Sequence, residues 1–225
     1  MKIRTVIELQ DALDSEMAWR KKELSALRSN IQSARKFAQD TALRSGIALL
    51  YAHWEGSIKN IAYYYLCYVS NLKIPYNLLK NNFFAISLKS QLNTFEETAK
   101  SSLHKKIIDN IFLQYETPSK IPSDGVIKAN SNLNSSIFCE ILHTIGINED
   151  KYLTSYNLID EVLLAMRNKI AHGERLDMIN LDESRYYEIH EKIFKLIEQF
   201  STDIANAALL KEYLKHPSNH SLTVD

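Results

Sequence analysis

Three polar residues with complementary chemistry lie close together near the end of one apolar-periodic segment: Arg167, Asn168 and His172. Neutral histidine can accept a proton near neutral pH. Arginine can hold a phosphate in a bidentate grip and stabilise the charge that develops on it. The amide of asparagine can hold a histidine tautomer or a ribose hydroxyl. Together these groups suit phosphodiester chemistry, and none of them requires a metal.

The segment 158–170, which leads into these residues, is predicted to form an amphipathic helix. Its apolar residues recur with a period of 3.6 at Ile159, Val162, Leu163, Met166 and Ile170. Asn168 and His172, four positions apart, should project together from the opposite face, and Arg167 lies on the flank with a side chain long enough to reach it. Gly173 is predicted to end the helix. The three polar groups should therefore converge at a helix terminus, turned away from the core of the helix.

A simpler interpretation of the same residues is a capped helix end. His172 and Arg167 would then contact the last carbonyl groups and the negative end of the helix dipole. Cationic side chains are common in last turns. The residue types alone favour this structural role over a catalytic one.

The exact order of residues changes that balance. Residues 167–174, RNKIAHGE, resemble the R-x4-H motif of HEPN domains, in the RN-x3-H form that marks their ribonuclease members. Residues 51–56 (YAHWEG) and 157–174 (NLIDEVLLAMRNKIAHGE) look like the HEPN nucleases of toxin–antitoxin, abortive-infection and RNA-repair-associated loci, the RiboL-PSP-HEPN-like group. The likeness covers residues 41–72 and 130–214 and not the stretch between them.

This resemblance implies a metal-independent endoribonuclease that cuts RNA by attack of the ribose 2′-hydroxyl, leaving a 2′,3′-cyclic phosphate and a 5′-hydroxyl. His172 would act as general base or acid, Arg167 would bind the scissile phosphate, and Asn168 would orient His172 or the 2′-hydroxyl. The resemblance also implies a homodimer with a composite active site, and a role as toxin or antiphage defence effector. An antitoxin or regulatory protein is left open as a partner.

Two further interpretations come from other functional classes. The chain could be a non-catalytic helical module that binds RNA, a nucleotide or a protein, although the intact trio argues against a degenerate site. It could also be a structural dimer in which the motif only shapes the interface. Leu164, Ala165 and Ala171 surround the polar pair on the outer face, which is compatible with the close approach of either a second copy or residues 182–214 of the same chain.

Composition sets the broad class. The chain has 225 residues, 45% of them hydrophobic, with five glycines and four prolines, as expected for a helical globular protein. Lys plus Arg and Asp plus Glu both number 27, so the net charge is zero. This balance argues against coating of nucleic acid by bulk electrostatics and leaves room for a localised basic site.

No cofactor or metal site is predicted. Cys67 and Cys139 lie in apolar helical surroundings, which favours buried thiols over a disulfide or a metal pair. A zinc site is not expected at His104, His143 or His190, because they show no metal-ligand spacing with Cys, Asp or Glu.

A cytoplasmic location is expected. Residues 1–10 lack the apolar region of a signal peptide. The richest apolar stretch, residues 61–69, is too short and too rich in tyrosine to span a membrane.

The tyrosines of this stretch are predicted to pack in the core and not to stack with RNA bases. They are Tyr63, Tyr64, Tyr65 and Tyr68.

The predicted fold is all-α, a HEPN-like helical bundle built on long antiparallel helices with a less regular middle insertion at residues 74–150. Helices are predicted over residues 5–38, 40–72, 100–115, 135–145, 153–172 and 182–214, with Asp40 as the N-cap of the second. Residues 117–134 should form a loop because they hold two prolines, a glycine and several Asn and Ser residues. One domain is expected over residues 1–215, followed by a flexible tail at 216–225.

Overall fold

Helices dominate the computed structural model, which describes residues 2–175 and 180–216. The helices are α1 (Val6–Ser33), α2 (Gln39–Leu72), α3 (Asn81–Glu97), α4 (Ser101–Tyr115), α5 (Ser135–Ile145), α6 (Ala165–Ala171) and α7 (Glu183–Leu209), with a 3₁₀ turn at Leu153–Ser155 and a π-helix at Leu158–Leu164. In the described ranges, β pairing is limited to two isolated bridges, Pro75 with Pro118 and Leu79 with Leu214. The predicted all-α class is confirmed.

The two long N-terminal helices pack against each other in antiparallel directions, as predicted. Thr5 caps α1 in a reciprocal capping box with Glu8, which satisfies backbone N–H groups at the helix start. α1 ends at Ser33, before the predicted end at residue 38. The prediction of Asp40 as the N-cap of α2 was wrong: Ala38 occupies that position, and Asp40 lies in the first turn, where the helix dipole favours its charge.

The core lies where α1, α2 and α7 pack together. α2 contributes its fully buried residues Leu50, Trp54, Ile58 and Ile61, and α7 contributes Ile193, Ile197, Phe200 and Ile204. The Trp54 and Phe138 rings meet edge to face at 5.1 Å, so α5 joins this core through its aromatic side chain. Tyr65 and Tyr68 are buried as expected, whereas Tyr63 and Tyr64 are half-buried.

The middle region holds more helix than its sequence indicated. α4 and α5 match the predicted segments closely, and residues 117–134 are a loop as expected. α3 was not predicted from the sequence. It buries only Phe83, Phe84 and Leu88, and no side chain caps its N-terminus, so its apolar periodicity and start signal are both weak.

The segment that leads into the motif is not one continuous α-helix. The predicted helix 153–172 is divided into the 3₁₀ turn, the π-helix Leu158–Leu164 and the short α6. Leu164 was expected on the outer face, but only 8% of it is exposed and it belongs to the core. The wider turn of the π-helix explains this change of face, because it shifts the register that a uniform 3.6-residue period assumes.

Two further points concern the ends of the chain and its apolar helices. The predicted tail at 216–225 lies outside the described residues except for His216, which is exposed. Among the helices that the structure describes, none combines the length and apolar character needed to cross a membrane.

Candidate functional site around Arg167, Asn168 and His172

Helix α6 ends in a well-defined reversal directly after the motif. Gly173 has a positive φ of 82°, a conformation that glycine adopts without strain. Its N–H donates to the Ile170 carbonyl at 3.1 Å, and the Glu174 N–H donates to the Lys169 carbonyl at 3.0 Å. These two bonds form a Schellman motif with His172 as the C-cap residue. The prediction of Gly173 as the helix stop is confirmed.

Arg44 on α2 stabilises the same helix end through its guanidinium group. Its guanidinium donates to the carbonyl oxygen of Ile170 at 3.1 Å and also to that of Glu174. Both carbonyls lie at the C-terminal end of α6, where backbone acceptors have no partner within the helix. A cation at this end also interacts favourably with the helix dipole.

Arg167 extends towards α2 and the loop that precedes α5, not towards the outer face. Its guanidinium carbon lies 4.4 Å from the centre of the Tyr51 ring, in a cation–π contact. Nη2 donates to the Ser131 carbonyl at 2.9 Å, and Nη1 donates to the Asn168 side-chain oxygen at 2.8 Å. Three contacts from three chain segments therefore fix the orientation of this guanidinium.

The Tyr51 ring that supports Arg167 is itself held by hydrogen bonds. Its hydroxyl donates to Glu55 at 2.9 Å and accepts from the Leu133 N–H at 2.6 Å. Burial, reinforced by the hydrogen bond to Glu55, raises the pKa of Tyr51 well above its usual range, so the side chain stays a neutral phenol. The neutral phenol therefore adds no negative charge beside Arg167.

The loop beneath Arg167 is attached at both sides. Trp54 Nε1 donates to the Leu133 carbonyl at 3.3 Å, which ties the loop to α2. Asp160 on the π-helix accepts from the Ser135 N–H at 2.7 Å, at the N-terminus of α5, where the helix dipole favours a carboxylate. The loop that presents the Ser131 carbonyl is therefore positioned by α2, α5 and the π-helix together.

His172 is placed differently from the other two. Its side chain is exposed, and its backbone N–H donates to the Asn168 carbonyl at 2.9 Å. Within the described part of the chain, no hydrogen bond or ion pair engages the His172 ring. The structure thus brings Arg167 and Asn168 into direct contact, whereas His172 lies at the helix end with its ring free for an external group.

The arrangement can bind an anion and exchange a proton. Arginine has five N–H donors, and Arg167 uses two of them in hydrogen bonds, so three remain for a ligand such as a phosphate. No carboxylate among the described residues forms an ion pair with Arg167. An exposed imidazole at the end of the same helix can supply or remove a proton.

Sequence reasoning missed the residues that support this site. Tyr51, Arg44 and Ser131 each lie more than thirty positions from the motif in the chain. The string YAHWEG at residues 51–56 contributes to the family resemblance, but no local pattern in it predicts that the Tyr51 ring packs against Arg167. Only the packing of α2 against α6 reveals that contact.

The sequence of this chain is similar to that of a known protein family. The model of the RiboL-PSP-HEPN family matches residues 15–206, which includes α2, the loop before α5, α6 and most of α7. The chain belongs to the RiboL-PSP-HEPN family. Neither a curated protein nor a solved structure matches it. The family resemblance drawn from residues 51–56 and 157–174 is therefore confirmed, and the two segments of this HEPN chain meet at Tyr51 and Arg167.

One group of potential metal ligands lies elsewhere in this HEPN chain. Cys139, His143 and Glu149 offer ligand atoms that all lie within 4.8 Å of one another. Both cysteines are free thiols, and Cys67 is buried as expected, but Cys139 is only partly buried. Contrary to the expectation for His143, the sequence does carry a signal for this group, because Cys139 and His143 are four residues apart on a helix and so share one face.

Proposed function

We propose that this protein is a metal-independent endoribonuclease. The 2′-hydroxyl oxygen of a ribose forms a bond to the adjacent phosphorus, and the bond from phosphorus to the 5′-oxygen breaks. A base removes the 2′-hydroxyl proton, and an acid protonates the departing 5′-oxygen. The products are a 2′,3′-cyclic phosphate and a 5′-hydroxyl. DNA has no 2′-hydroxyl and is not cut by this route.

The three motif residues take separate roles in this proposal. His172 acts as general base or acid, because its exposed ring can reach an RNA strand. Arg167 binds the scissile phosphate and stabilises the charge that it gains in the transition state. Asn168, whose side-chain oxygen accepts from Arg167, holds the guanidinium and leaves its own NH₂ group to bind the 2′-hydroxyl.

The single observation that carries the proposal is the environment of Arg167. A cation that is fixed by the Ser131 carbonyl and the Tyr51 ring, without an ion pair among the described residues, is prepared for an anionic ligand. An arginine with a purely structural role is usually paired with a carboxylate when it is partly buried. Family membership and the RN-x3-H spacing point in the same direction.

We further propose that two copies combine to form the complete site. In one chain the Arg167 guanidinium is directed towards α2, and the His172 ring is exposed without a partner among the described residues. A two-fold arrangement of α6 helices would let His172 of one protomer serve the phosphate held by Arg167 of the other. The exposed residues Ala171 and Gly173 leave room for such an approach.

A non-catalytic binding module is the second candidate, and one observation favours it. In a single chain Arg167 contacts Asn168 but the His172 ring does not join them, so the pair could hold a phosphate without a proton-transfer group beside it. The exposed His172 separates the two candidates, because removing its ring should not disturb folding.

The decisive experiment is RNA cleavage in the presence of EDTA by the wild-type protein and by His172→Ala. We expect cleavage that leaves 2′,3′-cyclic phosphate ends, and a loss of at least about 100-fold in the variant because general acid–base catalysis contributes that much or more. Product ends are identified by their resistance to 3′ ligation after phosphatase treatment alone, and by ligation once the cyclic phosphate has been opened and the resulting phosphate removed to leave a 3′-hydroxyl.

Lys169→Ala is the matched control, since Lys169 is exposed on the same helix. It should retain cleavage close to the wild-type rate. RNA that is bound but never cut by a folded wild-type dimer would reject the nuclease and support the binding module. Cleavage that survives His172→Ala would remove His172 from the mechanism.

The biological role that we propose is that of a toxin or antiphage effector, held inactive by an antitoxin or a regulatory protein. Expression of the wild-type chain should then arrest growth, and expression of His172→Ala should not. Growth arrest by both proteins at equal abundance would count against a role that depends on cleavage.

A further inference from the structure

A second chemically equipped cluster lies at the C-terminal end of α5. Cys139 and His143 share one face of this helix, and Glu149 follows it in the connecting segment. Gly146, with a positive φ of 74°, ends the helix and reverses the chain, so that Glu149 returns to the face that carries the other two. The three residues therefore meet because of local chain geometry and not through a long-range contact.

The distances in this cluster approach those of a tetrahedral metal site. His143 Nε2 lies 3.8 Å from Cys139 Sγ and 3.4 Å from Glu149 Oε1. Zinc bonds of about 2.0–2.3 Å place neighbouring ligand atoms about 3.3–3.7 Å apart. The two edges that meet at His143 Nε2 therefore need little or no adjustment.

Between Cys139 and Glu149 the structure has a hydrogen bond to the other carboxylate oxygen, Oε2, and a cation would replace it. The Cys139 thiol donates to Glu149 Oε2 at 2.5 Å. A metal ion would take the place of this proton, and the sulfur and oxygen would separate by about 1 Å to reach a ligand spacing. Glu149 is partly exposed and lies in a turn, so its carboxylate can make this adjustment.

We propose that Cys139, His143 and Glu149 bind a zinc-class divalent cation. A thiolate, an imidazole and a carboxylate together suit Zn²⁺, whereas Mg²⁺ and Ca²⁺ prefer sets made of oxygen alone. Three protein ligands leave a fourth position for water. Tyr156, whose hydroxyl donates to Glu149 at 3.3 Å, holds the carboxylate from outside.

The position of the cluster indicates a structural role for the ion. His143 is exposed over 56% of its side chain and Glu149 over 32%, so a cation can enter from solvent without unfolding. The ion would fasten the end of α5 to the connecting segment that carries Glu149 and Tyr156. This segment leads into the π-helix and then to α6, and the site shares no residue with Arg167 and its partners.

Cobalt(II) binding to the full chain tests this proposal without any RNA. We expect one Co²⁺ per chain, with a thiolate-to-cobalt charge-transfer band in the near ultraviolet and visible bands of four-coordinate intensity, both removed by added Zn²⁺. Cys139→Ser should abolish the charge-transfer band. His143→Gln should weaken binding and alter the visible bands, and its exposed position makes a folding defect unexpected.

Cys67→Ser is the matched control, since it removes the other thiol, which is buried on α2. It should leave the spectrum unchanged. A wild-type protein with no charge-transfer band, or a band that survives Cys139→Ser, would overturn the proposal. Circular dichroism of each variant confirms that the helices are retained, and none of these outcomes bears on the cleavage proposed above.

Discussion

The Arg167 guanidinium is fixed in orientation and still has N–H groups available for a ligand. One face of the guanidinium plane packs on the Tyr51 ring, and two of its N–H groups donate to the Ser131 carbonyl and the Asn168 side chain. The planar fork of a guanidinium allows this division, because its five donors point in separate directions. An ammonium group is a single point of charge and cannot stack and bond in the same way.

This difference predicts the result of Arg167→Lys. The variant keeps the positive charge but loses the stacking on Tyr51 and the bond to the Ser131 carbonyl, so the charge is no longer held in one place. We expect RNA cleavage to fall about 100- to 1,000-fold, the range for loss of one positioned donor at a transition state. The measurement is the single-turnover cleavage rate at saturating protein.

The control for this variant is Arg185→Lys, where the arginine pairs with Glu188 on an exposed face of α7. Replacement there should change cleavage little, since exposed ion pairs contribute at most about 1 kcal/mol. Equal losses in both variants would mean that cleavage depends on arginine content in general and not on the position of Arg167.

The proposed catalytic trio could be predicted from the sequence because its members are close in the chain and carry a recognisable spacing. Their orientation was not. The expectation that all three project to one outer face assumed a uniform helix, and it placed Leu164 on the surface. Arg167 instead lies over Tyr51 because α6 packs on α2, a contact between segments more than one hundred residues apart.

Helix α2 supports α6. It holds the helix end through Arg44 and the motif arginine through Tyr51. The long helices could be predicted because their apolar residues repeat over many turns. α3 could not, because three buried residues in seventeen give little periodic signal. The π-helix could not be predicted either, because the change from i→i+4 to i→i+5 hydrogen bonds has no signature in the amino-acid composition.

Arg44→Met tests the support at the helix end. Methionine keeps an unbranched apolar stem but cannot donate to the carbonyls of Ile170 and Glu174. We expect the last turn of α6 to open more often, with a loss of about 1 kcal/mol in the free energy of unfolding. Hydrogen exchange should accelerate at the amides of Gly173 and Glu174, which close the Schellman motif.

Ser45→Ala is the matched control on the same helix. Ser45 is exposed, and its hydroxyl bonds only to the Thr41 carbonyl within α2. Exchange at the end of α6 should remain at the wild-type rate in this variant. Unchanged exchange in Arg44→Met as well would show that the Schellman bonds hold the helix end without help from α2.

Polar groups are buried between the long helices α1, α2 and α7. Arg20 on α1 bonds to Glu16 at 2.8 Å through Nε, and its Nη1 lies 3.2 Å from His53 Nδ1 on α2. His190 on α7 lies 3.2 Å from the Leu24 carbonyl of α1. Hydrogen bonds thus join α1 to both of its neighbours inside an otherwise apolar core.

These buried histidines predict how stability depends on pH. Burial, together with the nearby charge of Arg20, lowers the pKa of His53 below its ordinary 6.5, and burial lowers the pKa of His190. As the pH falls below 6.5, the unfolded chain takes up protons that the folded chain does not. The free energy of unfolding should therefore fall, by at most about 1.4 kcal/mol per pH unit for each histidine.

Urea denaturation between pH 7.5 and 5 measures this slope for the wild type and for His53→Gln combined with His190→Gln. We expect the double variant to be less stable at pH 7.5 but to lose less stability on acidification. Ser57→Ala, a buried substitution on α2 that removes no titrating group, should keep the wild-type slope. An unaltered slope in the double variant would assign the pH dependence to other groups.

The π-helix before α6 gives the chain one place where its length can change at little cost. A π turn holds one residue more than an α turn over a similar rise. It therefore absorbs an insertion that would otherwise rotate the following helical residues by about 100° about the helix axis. A related chain one residue shorter between Leu158 and Leu164 could run through as an ordinary α-helix and keep Arg167 over Tyr51. Within α6 itself, the same deletion would turn the motif away from its support.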